Sequence, residues 1–347
     1  MGFPSVEELA GWIGLADDES VRALHARAYA VKDEVVGRRV SMRGLIEAGN
    51  VCAKDCLYCG IRKSNAKVAR YRLSKDEIVA CARFAAESGY GSVVIQSGEI
   101  EGEAHTRFIE DVLHAIAPLR LGVTLSLGEQ TEETYRRWRD AGATRYLLRI
   151  ETSNPTLYAA LHPSDCSFNR RVECLCALRR CGYQVGTGVM AGLPGQTLED
   201  LARDIVFFRD VDADMIGMGP YIPHPDTPLA AEAADWSAER GLRLGLNMIA
   251  AARIALRDVN IAAATALQAL DPLGREKGLL AGANVVMPNV TDVKYRAQYR
   301  LYADKPCLDE NAALCRGCLQ RRIESIGEKV LWGVPGDSAH FFARQRT

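Results

Sequence analysis

The chain has 347 residues, 48% of them hydrophobic and 25% charged, values ordinary for a soluble globular protein with a sizeable core. Its 43 Lys and Arg against 44 Asp and Glu give a net charge of -1, which argues against a nucleic-acid polyanion as the main partner. No run of 18 apolar residues or export-type start occurs, so the 11 cysteines read as reduced thiols and metal ligands in a cytoplasmic protein.

Residues 5–38 carry apolar positions at helical spacing and predict a helical cap, residues 1–38, ahead of the main fold. Short apolar, β-prone runs follow at Val40–Ile46, Ser92–Gln96, Gly122–Leu127, Arg145–Ile150, Gln184–Val189, Met215–Met218, Asn260–Ala264 and Asn284–Met287. Amphipathic helical stretches lie between them: Lys75–Ser88, Ala104–Ala117, Glu132–Ala141, Arg170–Cys181, Leu198–Asp210 and Ala238–Asp258. One continuous alternation predicts an α/β fold, a TIM-type (β/α)8 barrel over residues 39–300. A doubly wound sheet also alternates, but commonly with about five to seven strands and a phosphate loop after the first. Residues 301–347 form a C-terminal extension. Polar, Gly or Pro punctuation follows each strand on one rim, where barrels of this kind place their chemistry.

The first strand leads into Cys52-Ala-Lys-Asp-Cys56-Leu-Tyr58-Cys59. Four-cysteine sets hold electron-transfer clusters and closed zinc sites. Three thiolates on a [4Fe-4S] cube leave one iron open for a bound molecule. A zinc knuckle would want a fourth Cys or His close by, and none follows before Cys81. Cys-x3-Cys-x2-Cys with an aromatic before the last Cys resembles the signature of the radical S-adenosylmethionine (SAM) enzymes. The resemblance implies a [4Fe-4S] cluster on Cys52, Cys56 and Cys59, and SAM chelated to its open iron.

Gln96-Ser97-Gly98-Glu99 stands where that family has a Gly-Gly-Glu motif for the SAM amino group, with Ser in place of the first Gly. Arg149 and Glu151 share one face of the fourth strand, since strand side chains repeat every second residue. They suit a polar cofactor, with Glu151 accepting from ribose hydroxyls or the amino group, or a structural pair. Arg171 is a candidate for the SAM carboxylate because guanidinium matches carboxylate bidentately; its neighbour Arg170 is the alternative. Gly186-Thr-Gly188-Val-Met190-Ala191 fits a loose dinucleotide pattern, yet lies within a strand, which argues against a nicotinamide site. Met190 to Gly195 resembles the adenine-side segment of radical SAM barrels, and the resemblance implies Tyr58 and Met287 as further cofactor contacts.

Cys307, Cys315 and Cys318, spaced Cys-x7-Cys-x2-Cys, read as an auxiliary [2Fe-2S] or [4Fe-4S] site, with zinc or unligated thiols as alternatives. Cys174 and Cys181 share a helix face and read as core. His224, between two prolines, is a candidate substrate contact, and Tyr295, Tyr299 and Tyr302 read as packing residues.

Arg70-Tyr-Arg72, Glu151-Thr-Ser-Asn154-Pro155, Gly219-Pro-Tyr-Ile-Pro-His224-Pro-Asp-Thr-Pro228, Gly282 to Asn289 and the C-terminal cysteines together resemble the HydE-type [FeFe]-hydrogenase maturases, from about Arg43 to Arg322. That resemblance implies a monomer with a large internal cavity, reduced by a ferredoxin or flavodoxin. It implies an Fe(CO)2(CN)-cysteinate substrate from the partner maturase HydG, attacked at sulfur by the 5′-deoxyadenosyl radical. Arg149 and Thr265 are the candidates to hold that substrate. Methylornithine synthase-like mutase chemistry and a non-catalytic iron–sulfur scaffold are the alternatives. A scaffold has no use for Glu99, Glu151 and Arg171.

Overall fold

The computed structural model describes residues 2–308 and 312–346, of which 312–315 by backbone alone. Among the described residues, the strands expected from the sequence all form, in order: β1 (Arg39–Gly49), β2 (Ser92–Ser97), β3 (Gly122–Ser126), β4 (Arg145–Leu147), β5 (Gln184–Thr187), β6 (Met215–Ile216), β7 (Asn260–Ile261) and β8 (Val285–Val286). Every neighbouring pair is parallel. The ring closes between β7 and β8, where the Ala263 amide donates to the Val285 carbonyl and Asn284 to Ile261, both at 2.9 Å. This is a TIM-type (β/α)8 barrel.

The later strands end short of their apolar runs, and the reason lies at the rim. Glu151 takes a left-handed φ of 66°, which breaks the extension of β4. Gly188 packs so tightly on the Gly217 backbone that a Cβ would lie 1.9 Å from its carbonyl oxygen. Beyond that contact, Met190–Ala191 and Gly219–Pro220 pair separately as a second small parallel sheet. The strands thus splay at their C-terminal ends and open the mouth of the barrel.

The helices are α1 (Val6–Ile13), α2 (Asp18–Val35), α3 (Lys75–Glu87), α4 (Glu103–Ile116), α5 (Glu132–Asp140), α6 (Pro155–Leu161), α7 (Phe168–Arg180), α8 (Leu198–Asp210) and α9 (Ala238–Leu256), with shorter ones beyond. Capping boxes start α3 (Ser74 with Glu77) and α8 (Thr197 with Asp200), closing first-turn amides that nothing else would satisfy. α1 and α2 pack on the outside of α8 and α9, so α9 is buried on two sides. Its many Ala and Gly residues allow that approach, with Leu24 and Ala28 of α2 closing on Ala250 and Ile254.

The C-terminal residues return to the opposite end of the barrel. β9 (Lys329–Leu331) pairs in parallel with the start of β1. The following turn lies under the barrel floor, where Arg43 donates to the Gly336 carbonyl at 3.0 Å and Arg145 to that of Pro335 at 2.8 Å. Arg145 also pairs with Asp337. With its floor sealed, the barrel opens at the strand C-terminal ends.

Candidate functional site

β1 runs directly into the cysteine loop, which is held by backbone accounting. Asn50 donates to the carbonyls of Ala69 and Gln298 and accepts from the Tyr71 amide. The Arg70 guanidinium collects the loop's carbonyls, those of Asn50 at 2.6 Å and Ile61 at 2.7 Å among them. Asp55 takes a bidentate contact from Arg62 at 2.9 and 3.0 Å, which draws its carboxyl down to about 2. Gly60 is obligatory where it stands, since a Cβ would meet the Arg300 carbonyl at 2.1 Å and the His224 ring at 2.7 Å. Gly98 is equally confined, by Val51 and Cys52.

The three thiols of this loop line one wall of a cavity of about 350 Å³ at the barrel mouth. The Cys52 sulfur accepts from the Glu99 amide at 3.3 Å and the Lys54 amide at 3.4 Å. Burial pushes all three thiols up, Cys59 to about 12, so they stay protonated until a metal supplies positive charge. Among the described residues no three His, Cys, Asp or Glu side chains close on a single ion. Three thiols spread along one wall suit a multi-iron cluster with a thiolate at each of three corners. A second cleft lies between the ends of β1 and β2 and helix α4, beside Leu73 and Phe108, and includes none of the thiols.

Facing the thiols is a set of buried charges. Glu99 is contacted by Lys54 at 3.3 Å and by Arg171 at 3.7 Å, and Arg171 also meets Glu129 at 2.7 Å. Burial raises the Glu99 carboxyl, and the two cations oppose it. Of the two candidate arginines, Arg171 is buried and lines the cavity, whereas Arg170 is exposed. Arg149 clamps Glu151 at 2.8 Å and donates to the carbonyls of Gly217 and Val189. The strained backbone of Glu151 is fixed on both sides, its amide donating to Gly188 and its carbonyl accepting from Met190. A ligand carrying an ammonium, a carboxylate and hydroxyls would find a partner for each here.

The cavity brings together Cys52, Cys56, Tyr58, Cys59, Gln96, Ser97, Gly98, Glu99, Arg149, Glu151, Arg171, Met190, Thr265 and Met287. His224 does not line it; the ring sits behind the loop against Gly60, accepting from the Asp226 amide at 3.1 Å. Gly192 to Gly195 face a separate surface cleft with Trp236, so Met190 alone represents that segment in the cavity. Cys307 lies near Gln268 and Cys318 is exposed, both outside the cavity wall, and the Cys315 side chain lies outside the described residues. Sequence reasoning missed Glu47, Lys54, Tyr299, Tyr302 and Lys305, all of which line the cavity. The period of two along β1, with Leu45 and Glu47 both inward, held a signal for Glu47. Tyr299, Tyr302 and Lys305 arrive by tertiary folding, the segment after β8 turning back so that Gly60 donates to Leu301 at 3.0 Å.

Residues 46–208 match the family model of the radical SAM superfamily. The chain belongs to that superfamily. Within it the chain is a homologue of the [FeFe] hydrogenase maturase subunit HydE of Thermotoga maritima, 46% identical over 307 residues that cover 88% of this chain and 86% of the relative. A 3-methylornithine synthase of Methanosarcina acetivorans is 27% identical over 81% of this chain and 78% of its own. Among solved structures, methylornithine synthase superposes with a TM-score of 0.81 at 23% identity, covering 95% of this chain and 94% of that one, a likeness of fold. No helix among the described residues is long and apolar enough to cross a membrane.

Proposed function

We propose that this chain is a HydE-like maturase acting in assembly of the [FeFe]-hydrogenase di-iron subcluster. The observation that carries this reading is one cavity holding three thiols and the Glu99–Arg171 pair, in a chain 46% identical to HydE. Cys52, Cys56 and Cys59 would hold three irons of a [4Fe-4S] cluster. Glu99 accepts from the SAM ammonium, Arg171 donates to its carboxylate, and Glu151 accepts from ribose hydroxyls. Tyr58, Gln96, Ser97, Gly98, Met190 and Met287 complete the pocket wall. When bound and reduced, the cluster supplies the electron that cleaves SAM to methionine and a 5′-deoxyadenosyl radical.

The substrate in this reading is the Fe(CO)2(CN)-cysteinate complex supplied by HydG, and its cysteine sulfur is the atom attacked. Arg149 fixes the substrate by a charge-assisted hydrogen bond. The Thr265 hydroxyl already accepts from Arg275 at 3.0 Å, which leaves its own hydrogen to give to the substrate. Placed behind Gly60, His224 supports the cysteine loop. Cys307, Cys315 and Cys318 are proposed as the auxiliary cluster site. The protein is proposed to act as a cytoplasmic monomer reduced by a ferredoxin or flavodoxin.

Anaerobic reconstitution followed by dithionite and SAM tests the reading. Formation of 5′-deoxyadenosine and a reduced-cluster EPR signal that changes with SAM are expected. The iron–cysteinate complex should stimulate turnover and lysine should not. Stimulation by lysine instead would move the assignment to a methylornithine synthase-like mutase, and a cluster indifferent to SAM would leave a scaffold.

A further inference from the structure

We infer that Lys305 is a second substrate-anion anchor, facing Arg149 across the cavity; this rests on the maturase reading above. Lys305 arrives from the segment after β8 and donates to the Glu47 carboxylate and to the Tyr299 carbonyl, the latter at 2.7 Å. Its ammonium lies 5.1 Å from the centroid of the Tyr299 ring. The two charged side chains are almost wholly buried, with exposures of 9% for Lys305 and 2% for Glu47. The second oxygen of Glu47 is taken by Asn289 at 2.8 Å. Each oxygen of Glu47 thereby has a donor.

The Lys305 ammonium has three N–H donors and the protein uses two, while the side chain lines the cavity. Arg149 presents a matching situation, with four of its five N–H groups engaged by Glu151, Val189 and Gly217. The order of strands around the barrel sets Glu47 and Asn289, at the ends of β1 and β8, opposite Arg149 beyond β4. Each wall therefore carries a fixed cation with a donor to spare. The same lining includes the apolar Leu45, Leu301 and Ile222, which offer an anion nothing. A small substrate with two acceptor ends, a carboxylate and a cyanide, would find a donor for each. Burial lowers the Lys305 ammonium and raises the Glu47 carboxyl, and their contact opposes both shifts.

Infrared titration of the CO and CN bands of the iron–cysteinate complex tests this on the reconstituted enzyme. K305M should weaken binding by about tenfold to a hundredfold, the worth of a hydrogen bond to a charged group, and raise KM more than it lowers kcat. K305R should restore part of the loss. E47Q should tighten binding, because the ammonium is no longer shared with a carboxylate. A CN band that shifts in K305M assigns Lys305 to the cyanide; weaker binding without a shift assigns it to the carboxylate. If K305M fails to fold, the charge-balanced E47Q/K305M pair carries the same expectation of weak binding. Wild-type affinity in both K305M and E47Q overturns the anchor while leaving the maturase reading intact. No binding to the wild type overturns both.

Discussion

The molecule carries two groups of three cysteines, and their surroundings have little in common. Cys52, Cys56 and Cys59 sit on a loop whose carbonyls are gathered by Arg70 and whose turns are fixed by Asn50, Asp55 and Gly60. Their sulfurs face a charged cavity. Cys307 takes a left-handed φ of 62°, its carbonyl held by Arg296 at 3.1 Å, and Cys318 is exposed on the helix Ala312–Ser325. A metal site is made by the shell that orients its ligands as much as by the ligands. The first group has such a shell built by barrel elements. Cys307 and Cys318 stand outside the cavity wall, so their loss should leave the chemistry of the first group intact.

The largest expected difference follows from removing one thiol. Cys56→Ala should abolish 5′-deoxyadenosine formation under reducing conditions, a fall of more than about a thousandfold, since two thiolates do not secure the cube. Retained SAM cleavage in that variant would remove the cluster from this loop. Next comes the shell. Arg70→Met keeps every ligand and frees several carbonyls, so apoprotein stability should drop by about 2–3 kcal/mol and iron loss to a chelator should quicken. Urea midpoints and bleaching rates of the loaded protein measure the two. An Arg70→Met protein that keeps its iron as long as the wild type would mean that the loop is held by other means.

How much of this contrast could be read beforehand depends on how far each contact lies along the chain. The cysteine loop was legible because its ligands sit within eight residues and chemistry fixes their spacing. The barrel was legible because β-prone apolar runs alternate with amphipathic helices, although β6, β7 and β8 pair over only two residues each. Those short strands are set by the Gly188–Gly217 contact and the splay at the rim, which no local pattern encodes. The choice between Arg170 and Arg171 was in fact present in the helix phase. Arg171 shares the buried face with Cys174, Leu175 and Leu178, at spacings of three, four and seven. Lys305, by contrast, reaches Glu47 from 258 residues away. The floor under Arg43 and Arg145 likewise comes from the last residues of the chain.

A pH experiment sharpens the comparison from the apoprotein side. Burial holds the Cys59 thiol at about 12 against an ordinary value of 9.0, a folded pKa raised above the unfolded one. Such a group contributes stability that is fully present below the unfolded pKa and is lost as pH rises through the folded pKa. The apoprotein should therefore lose stability between about pH 9 and 12 more steeply than Cys59→Ser, which has no thiol to ionise. Loading should show the reverse dependence. Iron binding releases protons from the three thiols, so assembly should improve as pH rises towards the thiol range. Equal pH slopes for wild type and Cys59→Ser apoprotein would show that this thiol is ionised as readily folded as unfolded.

The smallest effect should come from the second group, and its smallness is informative. Cys318 is exposed and stands apart from the cavity. Cys318→Ser should therefore change SAM cleavage by no more than about twofold, within the range of a surface substitution. If the C-terminal cysteines hold an auxiliary cluster, the same variant should lose iron and sulfide beyond the content of the first site. Turnover of the iron–cysteinate complex then decides what that cluster is for. A defect in conversion with deoxyadenosine formation unchanged would place the second group downstream of radical generation. A fall in deoxyadenosine matching that of Cys56→Ala would instead tie the two groups together. The separation of cavity and helix argues against that coupling, because electrons aside, nothing in the described contacts links Cys318 to Cys52, Cys56 or Cys59.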